Sequence, residues 1–132
     1  MRFLRHTLPP ILLAMAWISV SEFLRNQFLF ARLWVDHYAA RGLTFPAEAI
    51  NGALWGVWAL VFSALLYTIA RKFSFLHTAV IGWIAGFVLM WLVIGNLDVL
   101  PFGILWAAVP WSLAEAAGAA WIVSRLGVHK HR

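Results

Sequence analysis

The chain has 132 residues, of which 64% are hydrophobic and only 11% charged. Soluble domains carry about 25% charged residues, so this balance excludes a water-soluble globular protein and favours an integral membrane protein. The formal net charge of +5 comes mainly from the ends of apolar segments and does not indicate a nucleic-acid partner. The absence of cysteine excludes disulfides and thiolate ligands.

Four apolar segments are each long enough to cross a bilayer, which takes about 20 helical residues. They lie at about residues 8–30, 49–70, 75–97 and 100–124. Their connections are short, so neighbouring helices are expected to run antiparallel, and they lack the alternation of β-strands. We therefore predict an all-α fold, a single transmembrane domain over residues 1–132, built as an up-down-up-down four-helix bundle.

The basic residues predict how these segments are oriented. Only Arg32 and Arg41 fall on one side of the membrane, where acidic residues accompany them. The other side carries Arg2, Arg5, Arg71, Lys72, Arg125, Lys130 and Arg132. Because basic residues are retained on the cytoplasmic side, we expect both termini in the cytoplasm and a multi-pass protein of the cell inner (plasma) membrane.

The first segment carries polar side chains where hydrocarbon is expected. In "WISVSEFLRNQFLF", Glu22 is three residues before Arg25 and four before Asn26, so the three share one helix face. Helix rise counted from Leu8 places this face in the outer third of the bilayer. It must point to protein or water, since a lone charge that faces lipid costs several kcal/mol.

Three more polar residues are predicted at the same depth. Asn51 lies near the outer start of the second segment, and Asn96 and Asp98 close the third segment on the same side. Two interpretations remain open. Either Glu22 and Arg25 neutralise each other while the asparagines join helices, or the six groups line an outward-facing cavity for an ion or polar solute.

The second segment also has an aromatic stripe. Trp55 and Trp58 lie on one side of its helix, and with Trp111 of the fourth segment they predict an aromatic pocket. Such a pocket suits a quinone, a porphyrin, a lipid or an organic cation. The alternative is that these rings only fill space in a small bundle.

The fourth segment contains one acid, Glu115, and no base within reach on its own helix. Helix rise from Arg125 places Glu115 near the middle or inner third of the membrane, below Glu22. It is expected to keep its proton there, and His77 at the inner end of the third segment is a possible partner. Glu115 either exchanges this proton, as a proton-coupled transporter requires, or is a neutral acid bonded to a neighbouring helix.

No motif points to catalysis. The sequence has no nucleotide-binding loop, zinc signature or nucleophile elbow, and we expect no catalytic residues, metal site or cofactor. We predict a small transporter or channel that works in the lipid bilayer as a homo-oligomer, in the simplest case a dimer, since four short helices enclose little interior. The alternative is a non-catalytic accessory subunit of a larger membrane complex, or a lipid- or quinone-binding protein. The predicted ligand or ion pathway consists of Glu22, Arg25, Asn26, Asn51, Asn96, Asp98 and Glu115.

Overall fold

The computed structural model describes residues 2–127, and within this range all the regular secondary structure is helical, without strands. The α-helices are α1 (Arg2–Phe23), α2 (Ala31–Ala39), α3 (Ala49–Ala70), α4 (Phe75–Trp83), α5 (Leu89–Asn96) and α6 (Leu105–Leu126). Two π-helical segments, Leu24–Leu29 and Ile84–Val88, join α1 to α2 and α4 to α5, and a 3-10 turn, Phe102–Ile104, precedes α6. The predicted all-α class is therefore confirmed for the described residues.

Three helical stretches are long and apolar enough to cross a membrane, namely Leu4–Leu29, Ala49–Ala70 and Phe75–Asn96. They match the first three predicted segments and indicate a membrane protein. The fourth predicted segment corresponds to α6, which also has 22 residues. Among the described helices, however, α6 is not one of the three that are apolar enough to be candidate membrane spans. Its alanines, tryptophans and single proline are less apolar than the leucines, isoleucines and valines of the other three.

Helix boundaries follow from local capping groups. The carboxylate of Glu48 and the side chain of Asn51 cap each other's backbone at the start of α3, and Ser74 accepts a bond from a backbone N–H at the start of α4. These bonds satisfy donors that the first helical turn leaves free. After α5 the chain turns at Asp98, whose φ of 59° lies in the left-handed region, where aspartate is better tolerated than most side chains.

The first and last helices pack along their length in opposite directions. Ser21 of α1 is bonded to Glu115 of α6. Nine residues later, the Phe30 ring contacts Trp106, which lies nine residues earlier than Glu115. Contacts further along the chain from Ser21 are thus made with residues earlier in the chain than Glu115, so α1 and α6 are antiparallel. Each of them also contacts α3, and α6 packs against α4.

One end of the molecule is held together by Tyr67, near the end of α3. Its hydroxyl donates to the carbonyl of Gly127 after α6 (3.3 Å) and bonds to Thr7 near the start of α1 (3.2 Å). Three helix ends therefore meet at this point. The described basic residues near this end are Arg5, Arg71, Lys72 and Arg125, whereas Lys130 and Arg132 lie outside the described residues.

An aromatic core fills the space between α3 and the π segment after α4. Gly86 allows the close approach, because a Cβ there would lie 2.7 Å from the Phe62 ring. Phe62 stacks on Trp58 (5.2 Å), and the fully buried Phe87 packs edge-on against both rings (5.8 and 5.7 Å). Phe87 of this core contacts Arg25, in the π segment that follows α1.

Candidate functional site

A buried polar network lies where α1 passes into its π segment. Arg25 and Glu22 are only 3% and 7% exposed. One guanidinium nitrogen of Arg25, Nη2, donates to both carboxylate oxygens of Glu22, at 2.7 and 2.9 Å. Asn26 donates to the same carboxylate (2.8 Å) and accepts from the indole N–H of Trp34 (3.1 Å). The predicted shared face of Glu22, Arg25 and Asn26 is thus confirmed.

The guanidinium of Arg25 also packs against the aromatic core. Its carbon lies 5.6 Å from the centroid of the Phe87 ring, which is within cation–π range. Two of its nitrogens, Nε and Nη1, are buried without a hydrogen-bond partner among the described residues. Arg25 is therefore held by one acid on one side and one ring on the other, and part of its donor capacity stays unused.

The two π segments of the chain meet at this contact. Arg25 lies in Leu24–Leu29, and Phe87 lies in Ile84–Val88. In the first segment the N–H of Phe30 donates to the carbonyl of Arg25, five residues earlier, at 2.9 Å. Such π turns insert one extra residue into a helix and occur frequently at functional sites. Here they widen both helices at the level of the polar network.

Glu115 of α6 joins this network instead of lying below it. The hydroxyl of Ser21 donates to Oε2 of Glu115 at 2.5 Å and accepts from the indole N–H of Trp111 at 2.8 Å. Trp17 donates to the backbone carbonyl of Glu115 at 3.0 Å. Glu115 is 1% exposed, and no donor among the described residues reaches its Oε1. The carboxyl of Glu22 lies within side-chain hydrogen-bond range of Glu115, a contact that requires a proton on one of the two acids.

The expected offset of Glu115 below Glu22 was wrong for a geometric reason. Helical side chains lean toward the N-terminus of their own helix. Because α1 and α6 are antiparallel, the side chain of Glu22 leans toward the start of α1 and that of Glu115 toward the start of α6, so the two converge. The suggested partner of Glu115, His77, is exposed and bonded to Ser74 at 2.7 Å.

Glu22, Arg25 and Glu115 form a buried charged cluster, and its charges do not balance. Two carboxyl groups, on Glu22 and Glu115, share one guanidinium, on Arg25, and no other base among the described residues acts on Glu115. Burial of an unpaired charge is costly. One of the two acids must therefore carry a proton or accept a bound cation.

A cleft of about 260 Å³ leads from the side of the molecule to this cluster. It lies between α1 and α6, and its lining residues are Trp17, Val20, Ser21, Leu24, Trp111, Ala114 and Glu115. The outer rim is apolar and open, since Val20 is 60% exposed. Sequence reasoning missed Trp17, Ser21 and Leu24, although their spacing of four and then three residues is that of a single helix face.

Three predicted pathway residues are not brought to the cluster. Asn51 caps the start of α3, where its side-chain oxygen accepts from the backbone of Glu48 at 3.0 Å. Asn96 is exposed at the end of α5. Asp98 is exposed and accepts two 2.8 Å bonds from Arg41. These hydrogen bonds hold the pKa of Asp98 below its ordinary value.

The three tryptophans of the predicted aromatic pocket lie in two different parts of the structure. Trp55 packs edge-on against Trp58 at 5.5 Å, and Trp58 belongs to the core around Phe87. Trp111 instead faces Ser21 across the cleft between α1 and α6. The structure therefore does not bring Trp111 together with the other two tryptophans.

No known protein family, curated protein or solved structure matches this chain. Within residues 2–127 no group of three or more His, Asp or Glu side chains is arranged to hold a metal ion. The polar groups that the described residues bring to the site are carboxyl, guanidinium, amide, hydroxyl and indole groups.

Proposed function

We propose that the chain is a small transporter that moves a solute or ion across the plasma membrane in exchange for protons. The observation that carries this proposal is the unequal charge of the buried cluster, in which two carboxyl groups share one guanidinium. The acid without a base of its own holds either a proton or a cation. Exchange of one for the other is the elementary step of proton-coupled transport.

In this proposal Glu115 is the group that exchanges the proton. The charged groups that face it are Glu22, from the end of α1, and Arg25, from the π segment that follows, and the described parts of α3 and α4 add no titratable group to its surroundings. Arg25 donates a hydrogen bond to Glu22, and Ser21 orients the carboxyl of Glu115. Asn26 fixes the second oxygen of Glu22.

We further propose that α6 crosses the membrane with the other three long helices, as an up-down-up-down bundle with both termini in the cytoplasm. Antiparallel packing of α1 against α6 supports this topology. The basic residues near the Tyr67 end support its cytoplasmic placement. The small side chains of α6, such as the fully buried Ala116 and Ala119, suit a helix packed tightly against neighbours within a membrane.

The proposed working unit is a homodimer. Four helices enclose little interior, and the cleft to the cluster opens sideways between α1 and α6. A second copy placed against this side would complete a pathway between the protomers. Asn51, Asn96 and Asp98 then lie near the outer approach to the pathway and outside the binding centre.

The proposal is tested with the purified chain in liposomes that contain a pH-sensitive dye and an acidic interior. Sodium, potassium, guanidinium, glycine and benzyltrimethylammonium are added outside in turn, and proton release from the lumen is followed. We expect one class of solute to drive proton release with the wild type but not with Glu115→Gln or Glu22→Gln. Glu48→Gln, an exposed acid outside the cluster, is the matched control and should behave as the wild type.

Two results would overturn the proposal. One is proton release no faster than in protein-free liposomes for every solute on the panel. The other is equal proton release by the wild type and both cluster variants.

A second candidate function is favoured by the closed bonding of Glu22, Arg25 and Asn26, which satisfy one another within a single helix. A network of this kind also serves a purely structural role, as in an accessory subunit of a larger membrane complex. Native mass spectrometry after mild detergent extraction separates the two candidates. A heavier partner chain supports the subunit, and a dimer of this chain alone supports the transporter.

A further inference from the structure

The cleft between α1 and α6 combines three features that narrow the chemistry of a ligand. Its rim is apolar, two tryptophans stand on opposite sides of it, and a buried acid lies at its inner end. We propose that it binds an amphiphilic organic cation, in which a single ammonium group is carried on an apolar body. The inference deepens the proposed function by naming the solute class, and as a binding claim it stands on the geometry of the cleft.

The acid at the inner end of the cleft favours a positively charged ligand group. Glu115 is 1% exposed, and no donor among the described residues reaches its Oε1, whereas Oε2 is already bonded to Ser21. Among the described residues the one base that acts on Glu115 is Arg25, which is bonded to Glu22. A cation that displaces the proton would attract the carboxylate of Glu115 electrostatically and balance the second acid of the cluster.

The walls of the cleft exclude a hydrated inorganic ion. Apart from Ser21 and Glu115 the lining side chains are apolar or aromatic, so a small metal ion would lose its water without enough oxygen ligands to replace it. A substituted ammonium holds little water, and the faces of Trp17 and Trp111 attract it by cation–π interaction. Its apolar part can rest against Val20 and Leu24.

The position of the cleft also indicates the route of entry. Val20, Trp17 and Leu24 are 60%, 45% and 41% exposed, on a helix long and apolar enough to lie in a membrane. An amphiphile that partitions into the bilayer would thus reach Glu115 sideways between α1 and α6. The ammonium group belongs either to a free solute or to a lipid headgroup.

The test uses benzyltrimethylammonium, which has a permanent charge, and its uncharged carbon analogue neopentylbenzene. Binding of both to the purified full chain in detergent is measured by equilibrium dialysis. We expect saturable binding of the cation alone, weakened roughly tenfold or more in Glu115→Gln, since losing one partner of a buried charge pair costs at least that in affinity. Trp111→Leu should weaken binding severalfold, and Trp121→Leu, an exposed tryptophan of α6 away from the cleft, should not.

Native mass spectra recorded before and after addition of the probe distinguish a lipid headgroup from a free solute as the source of the ammonium group. A copurified lipid with an ammonium headgroup that the probe displaces assigns the cleft to lipid, and an empty protein that takes up the probe assigns it to a free solute. Equal binding of neopentylbenzene, or no binding of the cation to folded wild type, overturns the inference. If the cation does not bind but another solute moves in exchange for protons in liposomes, the proposed function is supported and the inference about the ligand is rejected. If the cation binds but no solute moves, the inference is supported and the proposed function is rejected.

Discussion

The hydroxyl of Ser21 in α1 donates to the carboxyl of Glu115 in α6 at 2.5 Å, and it accepts from Trp111 on the same helix. One serine thereby joins the first helix to the last at the level of the buried acids. Ser21 shows no motif in the sequence, yet it is the side chain through which Glu115 enters the cluster.

Replacing Ser21 with alanine should lower the free energy of unfolding by about 1–3 kcal/mol, because it leaves two buried polar groups without a partner. The measurement is SDS titration in mixed micelles, followed by circular dichroism. Ser19→Ala, two residues earlier and half-buried, is the control and should stay within about 0.5 kcal/mol of the wild type. Equal effects of the two changes would contradict a joining role for Ser21.

Replacing Arg25 with methionine should cost more, about 3–5 kcal/mol, because it leaves the carboxylate of Glu22 buried without its base. The double variant Glu22→Gln with Arg25→Met should be less destabilised than the sum of the single changes, since it removes both charges. Unfolding free energies of all three variants complete the cycle. Strict additivity would mean that the two side chains do not act as a pair.

Gly118 should resist the addition of a single methyl group. A Cβ at this position would lie 2.7 Å from the indole of Trp17, the ring that bonds to the carbonyl of Glu115. Gly118→Ala should therefore destabilise the protein by about 1–3 kcal/mol through overpacking. Gly56→Ala is the matched control, because nothing lies within 4 Å of its new Cβ, and it should stabilise the protein by about 0.5–1 kcal/mol.

The link between Arg41 and Asp98 should respond to acid. Since Arg41 lowers the pKa of Asp98 in the folded protein, the link contributes fully above the ordinary value of 3.8 and is lost as the pH falls through the folded value. The protection of residues 40–48 against hydrogen exchange, measured relative to the intrinsic rate at each pH, should therefore fall below about pH 3.8. Asp98→Asn tolerates the positive φ but lacks the charge, so its protection should be low at neutral pH and insensitive to this acid range.

The proposed orientation can be tested with single cysteines, because the natural chain has none. Leu43 and Phe73 are both about half exposed and lie in different connections. A membrane-impermeant maleimide added to intact cells should label Leu43→Cys and should label Phe73→Cys only after permeabilisation. The reverse pattern would place the termini outside the cytoplasm.

The sequence was sufficient for the features that depend on neighbours along one helix. The contacts of Glu22 with Arg25 and Asn26 follow from spacings of three and four residues, and three of the predicted spans follow from length and apolarity. Capping of Glu48 by Asn51 is also a local feature, three residues apart, and it was missed because Asn51 was assigned to the pathway. Pairing of Asp98 with Arg41 could not be foreseen, because the two are distant in sequence and meet only in the folded chain.

The position of Glu115 could not be obtained from sequence because it depends on how two distant helices slide past each other. Depth counted separately along α1 and α6 ignores the opposite lean of their side chains. The π turn at Arg25 is hidden for a similar reason, since no residue type within it demands an extra residue per turn. Only packing against Phe87 and α6 reveals it.

The pairing of Glu22 with Arg25 within a single helical turn has a consequence for membrane insertion under the proposed topology. In chain order α1 precedes the other described helices, and the base that pairs with Glu22 follows it by three residues, so this acid needs no partner from a later helix. The helix that carries Glu115, α6, comes last among the described helices. Under the proposed topology Glu115 would therefore enter the bilayer after Ser21 and the ion pair are in place.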